Sequence, residues 1–361
     1  MGAAGRAGRG HRPDDRLVPR APRCDPDVTG APRSPGAGRP DVSVVLATAG
    51  RRVGLLWALD ALALQELPDG ATYEVLVVHT AGTVAEPLQA AAEHPLVVSG
   101  VARVLADPAA FAAGKRNAGW RAARGALVAF TDDDCRPRPG WLAAFLLAHR
   151  EDPTAYLQGG AAIDPDQERV ALRAPRPRLQ TFAPPTPWAE LCSAAVPRGA
   201  LEHVGGLDET YERAGEDTDL AWRLRDAGAP WVAVPDAIVD HAVETPGLRG
   251  ALRVAARFVD SPRLVRRHPG LRAHFAAGLF FSPAHAWWLL GVLGVGRAVC
   301  RCELLALGLT APWLTWHLSR YGRTPRGAAR AALELPGNVL IDGAQVAAFA
   351  VASVRERTPL L

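Results

Sequence analysis

The run Ala126-Leu127-Val128-Ala129-Phe130-Thr131-Asp132-Asp133-Asp134 most constrains how this chain can fold. Its five leading apolar residues, followed by the breaker cluster Arg136-Pro137-Arg138-Pro139-Gly140, read as a strand covered on both faces that nevertheless ends in three carboxylates. In open α/β sheets, ligands sit at the carboxyl ends of such strands. Asp132 and Asp134, two residues apart in extended backbone, share one side and can hold a divalent cation, with Asp133 turned the other way. A solvated acidic turn, or an N-terminal cap for a helix opening at Gly140, accounts for the same residues.

From Asp41 onward strands alternate with helices, which predicts a mostly parallel sheet in an α/β fold. Strands are expected at Val42–Ala47 and Glu74–Val78, with a weaker third over Val97–Leu105 and a fourth at Ala126–Phe130. Helices are expected over Gly54–Leu64, Lys115–Arg124 and Trp141–Arg150. Residues 164–190, rich in Pro and Arg, read as a long loop of the kind that serves as a lid. A strand at Leu191–Val196, a short helix from Arg198, a helix at Glu216–Ala227 and a strand at Trp231–Val234 complete a domain over residues 41–245.

Residues 1–40 carry Arg, Pro and Gly with almost no large apolar side chain, so they are expected to be a disordered tail. They lack the apolar stretch of a secretory signal, which leaves the following domain expected in the cytosol. Lys115 is the single lysine among 41 basic residues, so the net charge of +4 reflects an arginine-rich composition. No nucleic-acid motif accompanies it, and nucleic acid is not an expected partner. Cys24, Cys135, Cys192, Cys300 and Cys302 are odd in number and lack metal-site spacing, which fits reduced thiols.

Residues 246–361 change character. Ala276–Gly296 is 21 residues without a charge, long enough for a bilayer core, and Leu304–Leu318 is a second, shorter apolar segment. Arg257, Arg263, Arg266, Arg267 and Arg272 precede the pair, and Arg320, Arg323, Arg326 and Arg330 follow it, placing both flanks on the cytosolic side if the pair enters a membrane. A buried helical hairpin of a soluble domain is the other reading. Residues 331–354 are interrupted by Glu334, Pro336, Gly337 and Asp342, which favours a helix at the membrane interface over a third span.

A second chemical segment is Gly215-Glu216-Asp217-Thr218-Asp219-Leu220-Ala221-Trp222-Arg223. Helical spacing puts Asp217 on the same face as Leu220 and Leu224, so an inward face carries a carboxylate at its first turn. That carboxylate serves either as a charge at the helix N-terminus or as a base looking into a cleft.

Together these segments resemble the family 2 glycosyltransferases, inverting enzymes of GT-A fold that use nucleotide-activated sugars. The resemblance rests on Thr48 and Arg51 after the first strand, Gly114-Lys115-Arg116-Asn117-Ala118-Gly119, Phe130 to Asp134, Val204-Gly205-Gly206-Leu207-Asp208-Glu209, and Gly215-Glu216-Asp217 with Asp219, Leu220 and Arg223. It implies that Asp134 ligates Mg2+ or Mn2+, with Asp132 nearer the donor's ribose or sugar and His241 a further metal neighbour unless it is a surface histidine. It implies Thr48, Arg51, Lys115, Arg116 and Asn117 at the donor, Asp217 as the base, and Glu216 and Arg223 holding the Asp217 helix. Such an enzyme, membrane-associated at the cytoplasmic face, would move a sugar from a nucleotide-diphosphate donor to a lipid-linked or glycan acceptor. Val78-His79-Thr80 and Ala47-Thr48-Ala49-Gly50-Arg51 depart from the family pattern at the base-reading end. Two other readings are a nucleotidyltransferase acting on a sugar phosphate and a non-catalytic binding protein that keeps the fold.

Overall fold

The computed structural model describes residues 38–361 apart from Asp69, Thr83, Val84, Ala110 and Arg323. The tail expected over residues 1–40 therefore lies almost wholly outside the described residues, as does Arg323 of the basic flank.

The apolar runs become β1 (Val42–Ala47), β2 (Tyr73–Thr80), β3 (Ala102–Asp107) and β4 (Leu127–Asp132). β2 and β4 flank β1 in parallel, and β3 extends the parallel row beyond β2. Alternate residues of these strands serve two cores. α1 (Arg52–Ala63) brings Leu55, Leu59 and Leu62 against Val44, Leu46 and Val77 on one face, while α4 (Ala112–Ala122) brings Ala113 and Trp120 against Val45, Leu76 and Phe130 on the other. α2 (Ala85–Ala92) and α3 (Pro95–Val98) connect β2 to β3. The third strand was expected from Val97 but begins at Ala102, because Pro95 in the first turn and the His94 imidazole accepting from Leu96 N at 3.2 Å start a helical turn instead.

The second half of the sheet comprises β5 (Cys135–Pro137), β6 (Tyr156–Ile163), β7 (Ala194–Pro197) and β8 (Trp231–His241). The full order is β3-β2-β1-β4-β7-β6-β8-β5, with β7 antiparallel to β4 and β6, and β5 antiparallel to β8. β6 carries no strand signal in the sequence, since Gly159 and Gly160 break its apolar pattern. Gly159 is needed there: a Cβ would stand 2.2 Å from the Ala237 carbonyl oxygen and 2.3 Å from Ser193 Oγ. α5 (Trp141–Glu151), α6 (Glu168–Arg173), α7 (Arg198–Val204) and α8 (Glu216–Asp226) pack around this half. The expected loop at 164–190 contains α6 and is pinned to the sheet, Phe182 exchanging backbone hydrogen bonds with Ala161 and Arg178 with Glu244.

The C-terminal region holds α9 (Gly247–Ala255), α10 (Ser261–Arg267), α11 (Pro283–Arg301), α12 (Ala311–Leu318) and α13 (Pro325–Glu356). The 21-residue apolar segment is not one helix. Ala276 bridges to Phe280 in a turn, and α11 starts only at Pro283, where Ser282 caps the Ala284 amide. α13 runs through Pro336, and by length and composition it is the one described helix that could cross a membrane. Its buried positions include Glu334, Asn338 and Asp342, whereas Leu333 and Val354 on its outer side are 82% and 80% exposed. Its inner face also carries Ala331, Val346, Phe349 and Ala352, so polar and apolar side chains share the buried side.

Close contact between α4 and the parallel strands depends on Gly119, whose added Cβ would meet Val45 Cγ1 at 2.4 Å and Val78 Cγ2 at 3.2 Å. Gly119→Ala is expected to destabilise the protein by about 1–3 kcal/mol through overpacking. Chemical denaturation with an unchanged m-value would show this; an unchanged midpoint would contradict the close packing.

Candidate active site at the carboxyl ends of β1 and β4

Parallel pairing sets Ala47 of β1 opposite Asp132 of β4, so both chains leave the sheet side by side. Asp133 is buried at this point and acts as a staple. Its carboxylate accepts from Thr48 Oγ1 (2.7 Å), the Ala49 amide (2.8 Å) and Arg51 Nε and Nη2 (3.0 and 2.6 Å). The turn after β1 is held by it, and Arg51 Nη2 also reaches Asp134 Oδ2 at 2.9 Å.

Three consecutive residues of α4 tie down four different segments. Lys115 Nζ donates to the Thr48 carbonyl at 2.7 Å, and burial lowers its pKa. Arg116 donates to Asp132 Oδ1 (2.6 Å) and to Glu216 Oε1 (2.8 Å), bridging the end of β4 to the start of α8. Burial alone would lower the pKa of this guanidinium, but Asp132 and Glu216 outweigh it and hold the charge. Asn117 donates to the Leu207 carbonyl (2.9 Å) and Glu209 Oε1 (2.7 Å) and accepts from the Leu207 amide and Trp120 Nε1.

Asp134 faces His241, with Nε2 3.7 Å from Oδ1. This meeting follows from the antiparallel register of β5 on β8, which pairs Cys135 with His241. The His241 Nδ1–H donates to the Ala242 carbonyl at 2.8 Å, which fixes the ring with Nε2 facing the carboxylate. The gap is too long for a hydrogen bond, and a carboxylate oxygen facing an imidazole nitrogen is a donor set that could hold a divalent cation. Cys135 Sγ belongs to the same cluster, whose ligand atoms lie within 4.8 Å of one another, but burial pushes the thiol up and keeps it protonated. Burial also pushes Asp134 above its usual range, opposed by His241 and reinforced by Asp132.

Across the same cleft stands Asp217, in the first turn of α8 after Gly215, whose φ of 107° suits only glycine. Its Oδ1 accepts from the Thr218 amide at 2.8 Å. Burial, and then the charge of Glu216, push the Asp217 carboxyl up to about 8 against the pull of Arg116. α8 is fixed from behind by Arg223, which donates to Asp219 (2.7 Å), the Val204 carbonyl (2.8 Å) and the Gly206 carbonyl (2.7 Å).

The structure therefore brings Arg51, Lys115, Arg116, Asp132, Asp134, Glu216, Asp217 and His241 to one cavity of about 350 Å³. Thr48, Asn117 and Arg223 stand outside its lining and hold the segments that form it. For Asn117 this differs from the expected donor contact, because both ends of its amide are engaged by the 207–209 turn and Trp120. Sequence reasoning missed Gln180, Trp188, Glu190, Arg213, Arg257 and Phe258 as lining residues. Gln180, Trp188 and Glu190 lie in the expected lid, the one signal that pointed toward them.

The family model for Glycosyl transferase family 2 matches residues 43–201. Residues 43–201 are a family 2 glycosyltransferase domain. The chain is 34% identical over 197 residues to a pre-mycofactocin glycosyltransferase of Mycobacterium tuberculosis, covering 51% of this chain and 41% of that protein. It is 31% identical over 113 residues to the N-acetylglucosaminyl-diphospho-decaprenol L-rhamnosyltransferase of the same organism, covering 31% of this chain and 32% of the relative. The chain thus spans less than half the length of these relatives. A solved mannosyltransferase from Pyrobaculum calidifontis, in complex with GDP-Man and Mn2+, shares the fold with a TM-score of 0.52 at 22% identity, over 92% of this chain and 90% of that one. The transferase domain and its sheet are of the GT-A type, as the sequence motifs implied.

Because the folded state holds the Asp217 proton more tightly than the unfolded chain, the stability from this group is complete at acid pH and is lost as pH rises through about 8. Asp217→Asn removes that loss. Its melting temperature is expected to exceed the wild-type value near pH 8, by on the order of 2 kcal/mol of stability, with the gap closing toward about pH 4. A variant less stable than wild type at pH 8 would show that Asp217 is held as a charged, stabilising group.

Proposed function

We propose that this protein is a metal-dependent, inverting glycosyltransferase that moves a sugar from a nucleotide-diphosphate donor to a hydroxyl of a lipid-linked or glycan acceptor. The observation that carries the reading is the pairing, in one cavity, of Asp134 and His241 with a proton-hungry carboxyl at Asp217. Relatives named for glycosyl transfer and a neighbour solved with GDP-Man and Mn2+ support it.

Asp134 and His241, with Asp132 alongside, would hold Mg2+ or Mn2+, which when bound neutralises charge developing on the diphosphate leaving group. Asp217 takes the proton of the acceptor hydroxyl as that oxygen bonds to the anomeric carbon, and the carbon's bond to the diphosphate breaks on the opposite face. A base with a raised pKa suits this task, since it binds the proton strongly yet is freed near neutral pH. Arg116 sets the distance between the two halves of the reaction by gripping Asp132 with one nitrogen and Glu216 with another. A nucleotidyltransferase has no use for Asp217 at that place.

The C-terminal region supports work at a membrane surface. Leu305 is 97% exposed and Leu304, Val299 and Val351 are each more than 70% exposed, a density of bare apolar side chains that water does not favour. We place these helices at the cytoplasmic face of a bilayer, where they present the cleft to a lipid-borne acceptor.

Three measurements test the reading. Asp134→Ala is expected to abolish Mn2+-dependent binding of a nucleotide-diphosphate sugar in a thermal-shift assay while leaving the unliganded fold intact. Asp217→Asn is expected to bind donor normally and lose about 10²–10⁴-fold in transfer. Wild-type kcat/KM should rise with pH until about 8, where Asp217 becomes fully ionised. Near wild-type turnover in either variant would remove that residue from its role.

A further inference from the structure

Six lysine and arginine side chains line the cavity, and four of them are answered by the protein itself. Arg51 bonds Asp133 and Asp134, Lys115 bonds the Thr48 carbonyl, Arg116 bonds Asp132 and Glu216, and Arg178 bonds Glu244 at 2.8 Å. Arg213 and Arg257 have neither a hydrogen bond nor an ion pair among the described residues; only a longer-range attraction reaches Arg213 from Asp260 and Arg257 from Glu244. Both side chains are exposed to the solvent of the cleft.

Their places in the chain separate them from the strand ends that carry Asp134. Arg213 lies four residues ahead of Asp217, in the loop that leads into α8. Arg257 lies in the 3-10 segment Ala256–Asp260 that continues α9, so it belongs to the C-terminal region. Its neighbour Phe258 also lines the cavity, and it packs against Phe281 (5.4 Å), which stacks on Phe349 of α13 (4.9 Å). The wall beyond the base therefore pairs two free guanidinium groups with an aromatic surface continuous with the apolar helices. A guanidinium without a partner, facing a cleft, suits a phosphate ester.

We infer that Arg213 and Arg257 form a subsite for a phosphate or diphosphate group carried by the acceptor, whose apolar portion leaves the cleft past Phe258 toward the C-terminal helices. The inference rests on the transferase reading and narrows its acceptor to an anionic, lipid-borne one. On the transferase reading, Asp134 and His241 would hold the cation that meets the donor's own diphosphate, which leaves Arg213 and Arg257 for an anion on the acceptor.

The test uses the full chain in detergent with Mn2+ and saturating UDP or GDP, whichever the wild type binds, so that the donor site is filled. Geranyl diphosphate, inorganic pyrophosphate and geraniol are then titrated, read by calorimetry and by tryptophan fluorescence through Trp188. Geranyl diphosphate is expected to bind, geraniol to bind at least tenfold more weakly, and the Arg213→Ala/Arg257→Ala double variant to weaken geranyl diphosphate by about tenfold or more. Nucleotide affinity and melting temperature should stay within about twofold and a degree of wild type, because neither guanidinium supports the fold. Arg213→Lys/Arg257→Lys should recover part of the affinity. Pyrophosphate that binds as tightly as geranyl diphosphate, and with the same arginine dependence, would keep the anion subsite and assign it to free phosphate. Unchanged geranyl diphosphate binding in the double variant would overturn the inference, as would a loss of nucleotide affinity, which would return both arginines to the donor. Failure of the wild type to bind any nucleotide diphosphate with Mn2+ would instead sink the transferase reading itself.

Discussion

The buried guanidinium of Arg116 is the interaction on which the rest of the site depends. A charge taken from water into a folded interior is tolerated only when it is paired and hydrogen-bonded. Arg116 meets that condition with two carboxylates from segments 84 residues apart, Asp132 and Glu216. Loss of either partner leaves a buried charge half answered, so the end of β4 and the first turn of α8 are held in one relation. Lys115 and Asn117 extend the same device to β1 and to the 207–209 turn. Successive residues on a helix point about 100° apart, which is why three neighbours, one of them bidentate, can secure four different segments. The motif on α4 thus assembles the site as much as it lines it.

The helix that carries Asp217 is braced from the opposite side by the C-terminal region. Asp219 is fully buried, and it accepts from Arg223 within α8 and meets His268 at 3.0 Å and Arg267 at 3.1 Å from the end of α10 and the residue after it. Trp222 packs against His268 as well. The apolar appendage is therefore part of the scaffold of α8, and movement of α10 would be felt at Asp217. The expected lid is tied to the same region: Arg176 donates to the Glu334 carbonyl at 3.0 Å and fills the space beside Gly337, where a Cβ would meet its guanidinium. Tyr321 donates to Glu334 at 2.6 Å on the other side. Within the bundle, Trp313 and His317 satisfy Asp342 at 2.8 and 2.9 Å, so the polar groups that interrupt α13 are turned inward and paired. That arrangement explains why the segment stays one helix through Glu334, Pro336 and Asp342, features which in the sequence read as interruptions.

β1, β2 and β4 were legible because they are largely apolar runs buried on both faces that end in polar residues where the sheet ends, whereas β3, half-buried at the edge of the parallel row, left a weaker signal. The acidic run, the α4 motif and the α8 motif were legible for a related reason: each concentrates several charged side chains in a few residues. β6 was hidden by Gly159 and Gly160, whose lack of side chains erases the apolar signal that burial would leave. The start of α11 was hidden because residues 276–282 are as apolar as the helix that follows, and composition carries no information about where a turn ends.

Residue types and their local order decided that this chain builds an α/β sheet with carboxylates at a strand end, since a local pattern is enough to settle which faces are buried. Which carboxylate does what was decided by tertiary structure. Asp133, in the middle of the acidic run, became the staple of the β1 turn, while Asp134 met a histidine 107 positions away. The register of β5 on β8 sets that meeting, and the burial of Asp217 beside Glu216 sets its proton affinity. Both depend on distances between segments remote in the chain, which a linear pattern of residues does not contain.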